Sequence, residues 1–299
     1  MSGLCIGTVQ FGIDYGVQGA KKPPLETALR ILGYALDHGV SAIDTADDYG
    51  NAEEVVGAFV KSTAHPRDSY ELITKFSYKI FDGISEDAYA ARLIRQCEGS
   101  LNRLNTDYLD AYICHDPWVA GNRAVMAALK EVKAKGLARK VGISVYESDE
   151  ALKCAADGDC DFVQGPYSIL DQRLKSSGAL KACAERGIDV HTRSCFVQGL
   201  MLMEVAAIPE RLKKTRPYVA RLEELCRAAG VTRRELALAY VKAQNEISHI
   251  LFGVDNLTQL EEIVTDYAKT VDPAVIEAIE KEFTVLDHDI FMPNKWAKK

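Results

Sequence analysis

Short apolar runs rich in Val, Ile and Leu alternate along this chain with longer stretches in which apolar residues recur at three- and four-residue spacing. The short runs have the length of buried strands, and the longer ones have the period of amphipathic helices. Residues 4–8 open the series as a strand. Leu25, Ala28, Leu29, Leu32, Ala35 and Leu36 then keep helical spacing, after Pro23-Pro24 and up to Gly39. Further strands are expected at 40–44, 71–75, 108–115, 140–144, 161–164, 188–193 and 249–252. Helices are expected at 52–61, from Ser85 as N-cap to Leu104, at 124–135 before Gly136, and at 148–156. Two more, near 218–229 and 233–244, precede the last strand, and another at 273–283 follows it.

Eight strands alternating with helices over 299 residues predict an α/β fold, a (β/α)8 TIM barrel. It would form a single domain over residues 1–299, with additional helices near the C-terminus. An open doubly wound sheet is the rival, but the first strand–helix turn lacks the Gly-x-Gly-x-x-Gly phosphate loop. No linker or shift in composition divides the chain.

The expected strands finish on Thr8, Asp44, Lys75, His115, Ser144, Gln164, Arg193 and Gly253. In a parallel barrel every strand C-terminus opens on one rim, the rim where such folds carry their chemistry. One polar strand end is an ordinary turn residue; seven on one rim suggest a site. The stretch Ser41-Ala42-Ile43-Asp44-Thr45-Ala46-Asp47-Asp48-Tyr49-Gly50 adds a tyrosine that a plain turn does not need. A tyrosine hydroxyl ordinarily titrates near pH 10, about three units too high for easy proton delivery at neutrality. A nearby Lys75 ammonium, held by Asp44, would favour the phenolate and lower that value. His115 could orient a substrate carbonyl. Alone, each of the four has an ordinary structural role: a cap, a snorkelling lysine, a core histidine, an apolar plug. Together on adjacent strands they form a general acid with its tuning pair.

Composition narrows the partners. With 47% hydrophobic and 26% charged residues the chain can bury a sizeable core. A net charge of −7 argues against a nucleic-acid surface, and the basic end Lys295-Trp296-Ala297-Lys298-Lys299 reads as solvated. No apolar run approaches the roughly 18 residues of a membrane span, and no signal peptide stands out. The eight cysteines are scattered, and Cys154 and Cys160 fit neither zinc nor redox spacing, so reduced thiols in a cytoplasmic protein and no metal are expected.

At these residues the sequence resembles the aldo-keto reductase family. The matching positions are Gly7-Thr8, Asp44-Thr45-Ala46 with Tyr49-Gly50-Asn51 and Glu53, and Lys75. They continue through Leu101, Leu104 and Thr106-Asp107-Tyr108-Leu109-Asp110 to His115. Gly142-Ile143-Ser144, Gln164 with Tyr167, Gln198-Gly199-Leu200 and Gln259-Leu260 with Glu262 complete the likeness, which covers nearly the whole chain.

The resemblance implies a barrel that uses NADP(H) or NAD(H) to reduce a small-molecule aldehyde or ketone, sugar-like ones included, to an alcohol. Tyr49 would donate the proton, Lys75 and Asp44 would tune it, and His115 would orient the carbonyl. Gly7, Thr8 and Asp44 would border the cofactor, and Ser144 and Gln164 would hold its carboxamide. A turn containing Cys195, Phe196, Gln198 and Gly199 would pass beneath the pyrophosphate, with Gln259 and Glu262 at the adenine. Three positions depart from the family pattern. Val145 replaces an Asn that many members carry after Ser144. Arg193 aligns with the aromatic that stacks on the nicotinamide, and its charge would favour the reduced ring. Asp255 falls where NADPH-preferring members place Ser, Lys or Arg, which points to NADH. Val9, Phe11, Tyr15, Phe76, Trp118 and residues 291–296 would line the substrate pocket. Two other functions fit the same barrel: a cofactor-binding regulatory subunit of the kind that serves ion channels, and a lyase with Lys75 as Schiff-base nucleophile. Asp44 disfavours the second by keeping the lysine charged.

Overall fold

In a computed structural model describing residues 2–17, 19–284, 286–292 and 295–296, eight parallel strands close on themselves in chain order. They are β1 (Gly3–Gly7), β2 (Val40–Asp44), β3 (Glu71–Phe76), β4 (Leu109–Cys114), β5 (Ala138–Ser144), β6 (Phe162–Pro166), β7 (Asp189–Arg193) and β8 (His249–Gly253). Gly3 pairs with His249 and Gly7 with Gly253, which shuts the cylinder. Parallel pairing requires the chain to return to the same end after every strand, and helices make those crossovers on the outside. The expected (β/α)8 barrel is therefore the observed fold.

The differences from the expected elements are local. Thr8 lies just beyond β1, where its N–H and its hydroxyl both donate to the Asp44 carbonyl at 3.0 Å. The helix expected to begin at Ser85 begins at Tyr89, because residues 86–88 form a tighter 3-10 turn and the Ser85 side chain makes no cap. β5 starts at Ala138, where pairing with Leu109 extends it. The helix Ala179–Glu185, between β6 and β7, escaped the pattern because seven residues are too few to display a period. The helices Arg216–Ala229 and Arg233–Lys242 stand where two were expected before β8. Thr232 and Glu235 close a capping box on the second of them.

Strand side chains alternate between the barrel interior and the helical layer, a period of two. Cys5, Ala42, Ile73, Ala111, Ile113 and Phe162 meet at the centre as a small apolar cluster. Two residues beyond Ala42, Ile73, Ile113 and Phe162, the same alternation delivers Asp44, Lys75, His115 and Gln164 to the interior of the C-terminal rim, and Ser144 stands there at the end of β5. Outward residues such as Phe76 and Tyr112 join the large core between sheet and helices. All eight cysteines are buried and none is joined in a disulfide. No helix is long and apolar enough to cross a membrane among the described residues.

Candidate active site

The loop after β2 is fastened before it presents Tyr49. Asp47 donates its N–H to the Lys75 carbonyl at 3.0 Å, and Ala52 donates to the Tyr49 carbonyl at 3.1 Å, opening the helix Ala52–Ser62. Glu53 pins that helix to β3, accepting 2.6 Å bonds from the Thr74 hydroxyl and from Arg103 Nε. Gly12 lies against the loop from the other side. A Cβ there would sit 1.6 Å from the Tyr49 carbonyl oxygen, so only glycine permits the approach.

Lys75 is wholly buried at the mouth of the barrel, and its ammonium donates to Asp44 Oδ1 at 2.5 Å and to the Thr45 carbonyl at 2.8 Å. The other Asp44 oxygen accepts from Gln164 Nε2 at 2.8 Å. A buried charge pair is tolerated only when its remaining lone pairs and protons are satisfied, as they are here. The Tyr49 hydroxyl reaches His115 Nε2 at 3.5 Å, and the Lys75 ammonium lies 5.1 Å from the centre of the tyrosine ring. The four expected catalytic residues thus come together.

Their electrostatics differ from expectation in one respect. Tyr49 is held well above the ordinary phenol value, not below it. Burial is the largest cause, the Asp44, Tyr15 and Asp48 charges add to it, and Arg193 opposes it. Lys75 spends its hydrogen bonds on Asp44 and Thr45, so Asp44 cancels much of its influence on the phenol. The resting tyrosine is a neutral phenol, the form a proton donor must have.

His115 has a partner that sequence reasoning missed. Its Nδ1 lies 3.0 Å from Asp48 Oδ2 and 3.1 Å from Oδ1. That contact fixes the ring and leaves Nε2 for Tyr49 or for a substrate oxygen. Burial works to raise the Asp48 carboxyl, but the His115 bond and the charges of His115 and Lys75 outweigh it and carry the value down. Asp48 was legible only as the acid beside Tyr49. Asp47, next to it, is pushed up to about 7 by burial and by the Asp48 and Glu53 charges, while the Gln96 bond at 2.8 Å and Arg103 oppose the rise.

A cavity of about 460 Å³ opens beside the tyrosine, lined by Asp48, His115, Trp118, Tyr146, Glu147 and Lys295 among others. Trp118 lines it as expected and is 66% exposed. Phe11 and Phe76 do not: both are fully covered within the layer between sheet and helices, Phe76 against Phe81 and Tyr112. Phe76 follows Lys75 by one residue, so the strand alternation that turns the lysine inward turns the phenylalanine outward. Val9 is half-buried, and Tyr15 accepts a 3.0 Å bond from Gln198 Nε2. Of the expected tail, Met292 and Lys295 reach the cavity, Phe291 packs beneath Arg173, and Pro293 and Asn294 lie outside the described residues.

The remaining rim suits a dinucleotide. The Ser144 hydroxyl, buried at the end of β5, engages no other side chain among the described residues. Ser194, Val197 and Gln198 all have positive φ, at 65°, 50° and 55°, ahead of Gly199 at 86°. A left-handed backbone at a β-branched valine is strained by about 1–2 kcal/mol, and such strain gathers where a loop must face a ligand. Cys195 in this turn is buried, and burial pushes its thiol up to about 12, so it carries no charge. Arg193 donates to the Val145 carbonyl at 2.9 Å and stacks 4.5 Å over Tyr146. At the far end of the rim the expected cofactor residues already have partners within the chain. Gln259 accepts from the Asp255 N–H at 2.8 Å, and Glu262 accepts from Arg234. Gln164, expected to hold a carboxamide, directs its amide at Asp44.

Comparison with known proteins bears on the family and the fold. Residues 3–282 match the model of the aldo/keto reductase family. An NADH-specific methylglyoxal reductase of Escherichia coli (strain K12) is 27% identical, with 81% of this chain and 85% of the relative covered. An L-galactose dehydrogenase of Arabidopsis thaliana is 28% identical over 88% of this chain and 85% of the relative. A solved aldo-keto reductase from Bacillus halodurans, in its holo form, superposes with a TM-score of 0.78 at 24% identity, covering 96% of this chain and 94% of that one.

Proposed function

This chain belongs to the aldo/keto reductase family of oxidoreductases, whose members use nicotinamide cofactors, and on that premise we propose that it reduces a small polar aldehyde or ketone with Tyr49 as proton donor. The observation that carries the proposal is the neutral Tyr49 hydroxyl 3.5 Å from His115 Nε2, beside the buried Lys75–Asp44 pair, with His115 itself lining the cavity. A nicotinamide cofactor held by the rim residues would supply the hydride. His115, steadied by Asp48, positions the carbonyl oxygen, and Tyr49 delivers the proton to the alkoxide that forms there. Loss of that proton makes Tyr49 anionic, and the Lys75 ammonium close to its ring then becomes favourable. The lysine therefore acts on the product side of the transfer, where charge develops.

Several charged groups around a modest cavity favour a short polar substrate over a long apolar one. The relative named as a methylglyoxal reductase and the one named as an L-galactose dehydrogenase act, by their names, on substrates of that kind. Asp255 would repel a 2′-phosphate, and Arg234 is committed to Glu262 and Asp266. Both facts support NADH as the preferred cofactor. A Schiff base on Lys75 is disfavoured because its ammonium is buried and donates to two acceptors.

The test is initial-rate kinetics on short aldehydes, α-ketoaldehydes and aldoses with NADH and NADPH in turn, for the native chain and Tyr49→Phe. Removing a positioned general acid lowers turnover about 10²–10⁴-fold, while cofactor affinity, read by quenching of protein fluorescence, stays within about twofold. Turnover retained by Tyr49→Phe refutes the assignment of the acid.

A further inference from the structure

At the opposite end of the barrel the inward positions become polar again. Glu71 begins β3, His249 begins β8, His191 lies in β7 with Asp189, and Lys140 lies in β5. His191 is fully buried, yet neither of its ring nitrogens has a hydrogen-bond partner among the described residues. Glu71 Oε2 and His249 Nδ1 are unpartnered in the same way. Buried polar atoms are nearly always satisfied, so four unmet atoms on three neighbouring side chains require an explanation.

We propose that Glu71, His191 and His249 bind one divalent transition-metal ion, with Zn2+ the natural occupant, at the floor of the barrel. One donor atom from each residue lies within 4.8 Å of the other two. His191 Nε2 is 3.6 Å from Glu71 Oε2, and the two imidazole rings are 4.3 Å apart. Zinc bonds of about 2.0–2.1 Å at tetrahedral angles place donor atoms about 3.3 Å apart, a modest contraction from this arrangement. Two imidazoles with one carboxylate suit Zn2+, Co2+, Ni2+ or Cu2+, whereas Mg2+ and Ca2+ prefer all-oxygen shells.

The surroundings behave as a supporting shell. Ser41 Oγ meets His249 Nε2 at 2.9 Å, which orients the ring and leaves Nδ1 as its donor. Lys140 takes the other Glu71 oxygen at 3.2 Å and Asp189 at 2.5 Å, so Oε2 stays uncommitted. A Cβ at Gly3 would lie 2.7 Å from His249 Cδ2, and the missing side chain makes room for the imidazole. Burial holds both histidines below their ordinary value and so keeps their lone pairs available. Gly3, Ser41, Glu71 and His249 are only half-covered, which gives an ion a path in from solvent. The ammonium of Lys140, bound to Glu71 and Asp189, is a built-in competitor for this negative pocket.

The test uses metal-free full-length protein titrated with Co2+, whose visible absorption reports donor type and geometry, followed by displacement with Zn2+. The expected result is one Co2+ per chain with the intense bands of a tetrahedral site, full displacement by zinc, and a raised unfolding midpoint. His191→Gln and His249→Gln should each weaken binding at least tenfold, while the surface variant His65→Gln leaves it unchanged. Lys140→Met should tighten binding by removing the competing charge, a gain that misfolding cannot imitate. Should a histidine variant fail to fold, as read by carbonyl reduction at the far rim, Glu71→Gln paired with Lys140→Met decides the matter by weakening and tightening respectively. Less than about one-tenth equivalent of bound Co2+, or binding unaltered in the folded Glu71, His191 and His249 variants, overturns the proposal.

Discussion

Replacing Asp47 by Asn should stabilise the protein, and only above a certain pH. In the folded chain this carboxyl is raised from 3.8 to about 7, first by burial and then by Asp48 and Glu53. Its folded value exceeds its unfolded value, so the folded state holds a proton that the unfolded chain has already lost. Stability is then complete below about pH 4, falls as pH climbs to 7, and levels off above, where both states are ionised. A shift of this size corresponds to about 4 kcal/mol at the plateau. Asp47 is only half-buried, and screening by solvent reduces the expectation to about 2 kcal/mol. Asparagine keeps an oxygen for the Gln96 amide and carries no charge. Urea unfolding of Asp47→Asn and the native chain at pH 4.5 and pH 8 measures the difference directly. The variant should be about equal at the lower pH and about 2 kcal/mol more stable at the higher. A difference that stays constant across the range would refute the claim that burial of this charge opposes folding.

Asp48→Asn loses a charge-assisted bond of about 1.5 kcal/mol to His115, which predicts roughly a tenfold fall in kcat/KM. Steady-state rates at fixed cofactor would show it, and unchanged rates would release Asp48 from its orienting role. Lys75→Met leaves the Asp44 carboxylate buried beside Gln164 alone, and should destabilise the fold by about 3–5 kcal/mol as well as abolish turnover. A denaturation midpoint equal to the native one would contradict that. Gly12→Ala would force a Cβ to within 1.6 Å of the Tyr49 carbonyl oxygen, and displacing the tyrosine loop by about 1 Å predicts a rate loss near 10²-fold. The helical Gly33 has nothing closer than 4.0 Å, so Gly33→Ala should instead add about 0.5–1 kcal/mol with rates intact.

The barrel was legible because its strands carry strong patterns. Val40–Asp44 is bounded as the apolar run implied, and each strand-end residue reached the rim because inward positions repeat every second residue. That same rule, applied one residue further, would have removed Phe76 from the substrate pocket. Phe11 gave no such warning, since the short helix Val9–Gly12 has no period to read. Asp48 was missed because its partner, His115, is distant in sequence and adjacent only in space. The depressed tyrosine was a reasonable inference from an ammonium nearby, but it overlooked that Asp44 claims that ammonium first. The floor cluster was invisible for a related reason: residues 71, 191 and 249 share no spacing, and only closure of the sheet brings them together.

Asp44 accepts from Lys75 with one oxygen and from Gln164 with the other, and so ties β2 to both β3 and β6 across the mouth of the barrel. That single acceptor adds a side-chain link between β2 and β6, two strands that the barrel does not pair directly. Whatever draws the Gln164 amide aside is felt by the lysine one bond away. A guest that took the Gln164 amide from Asp44 would leave that carboxylate to Lys75, whose ammonium lies 5.1 Å from the centre of the Tyr49 ring.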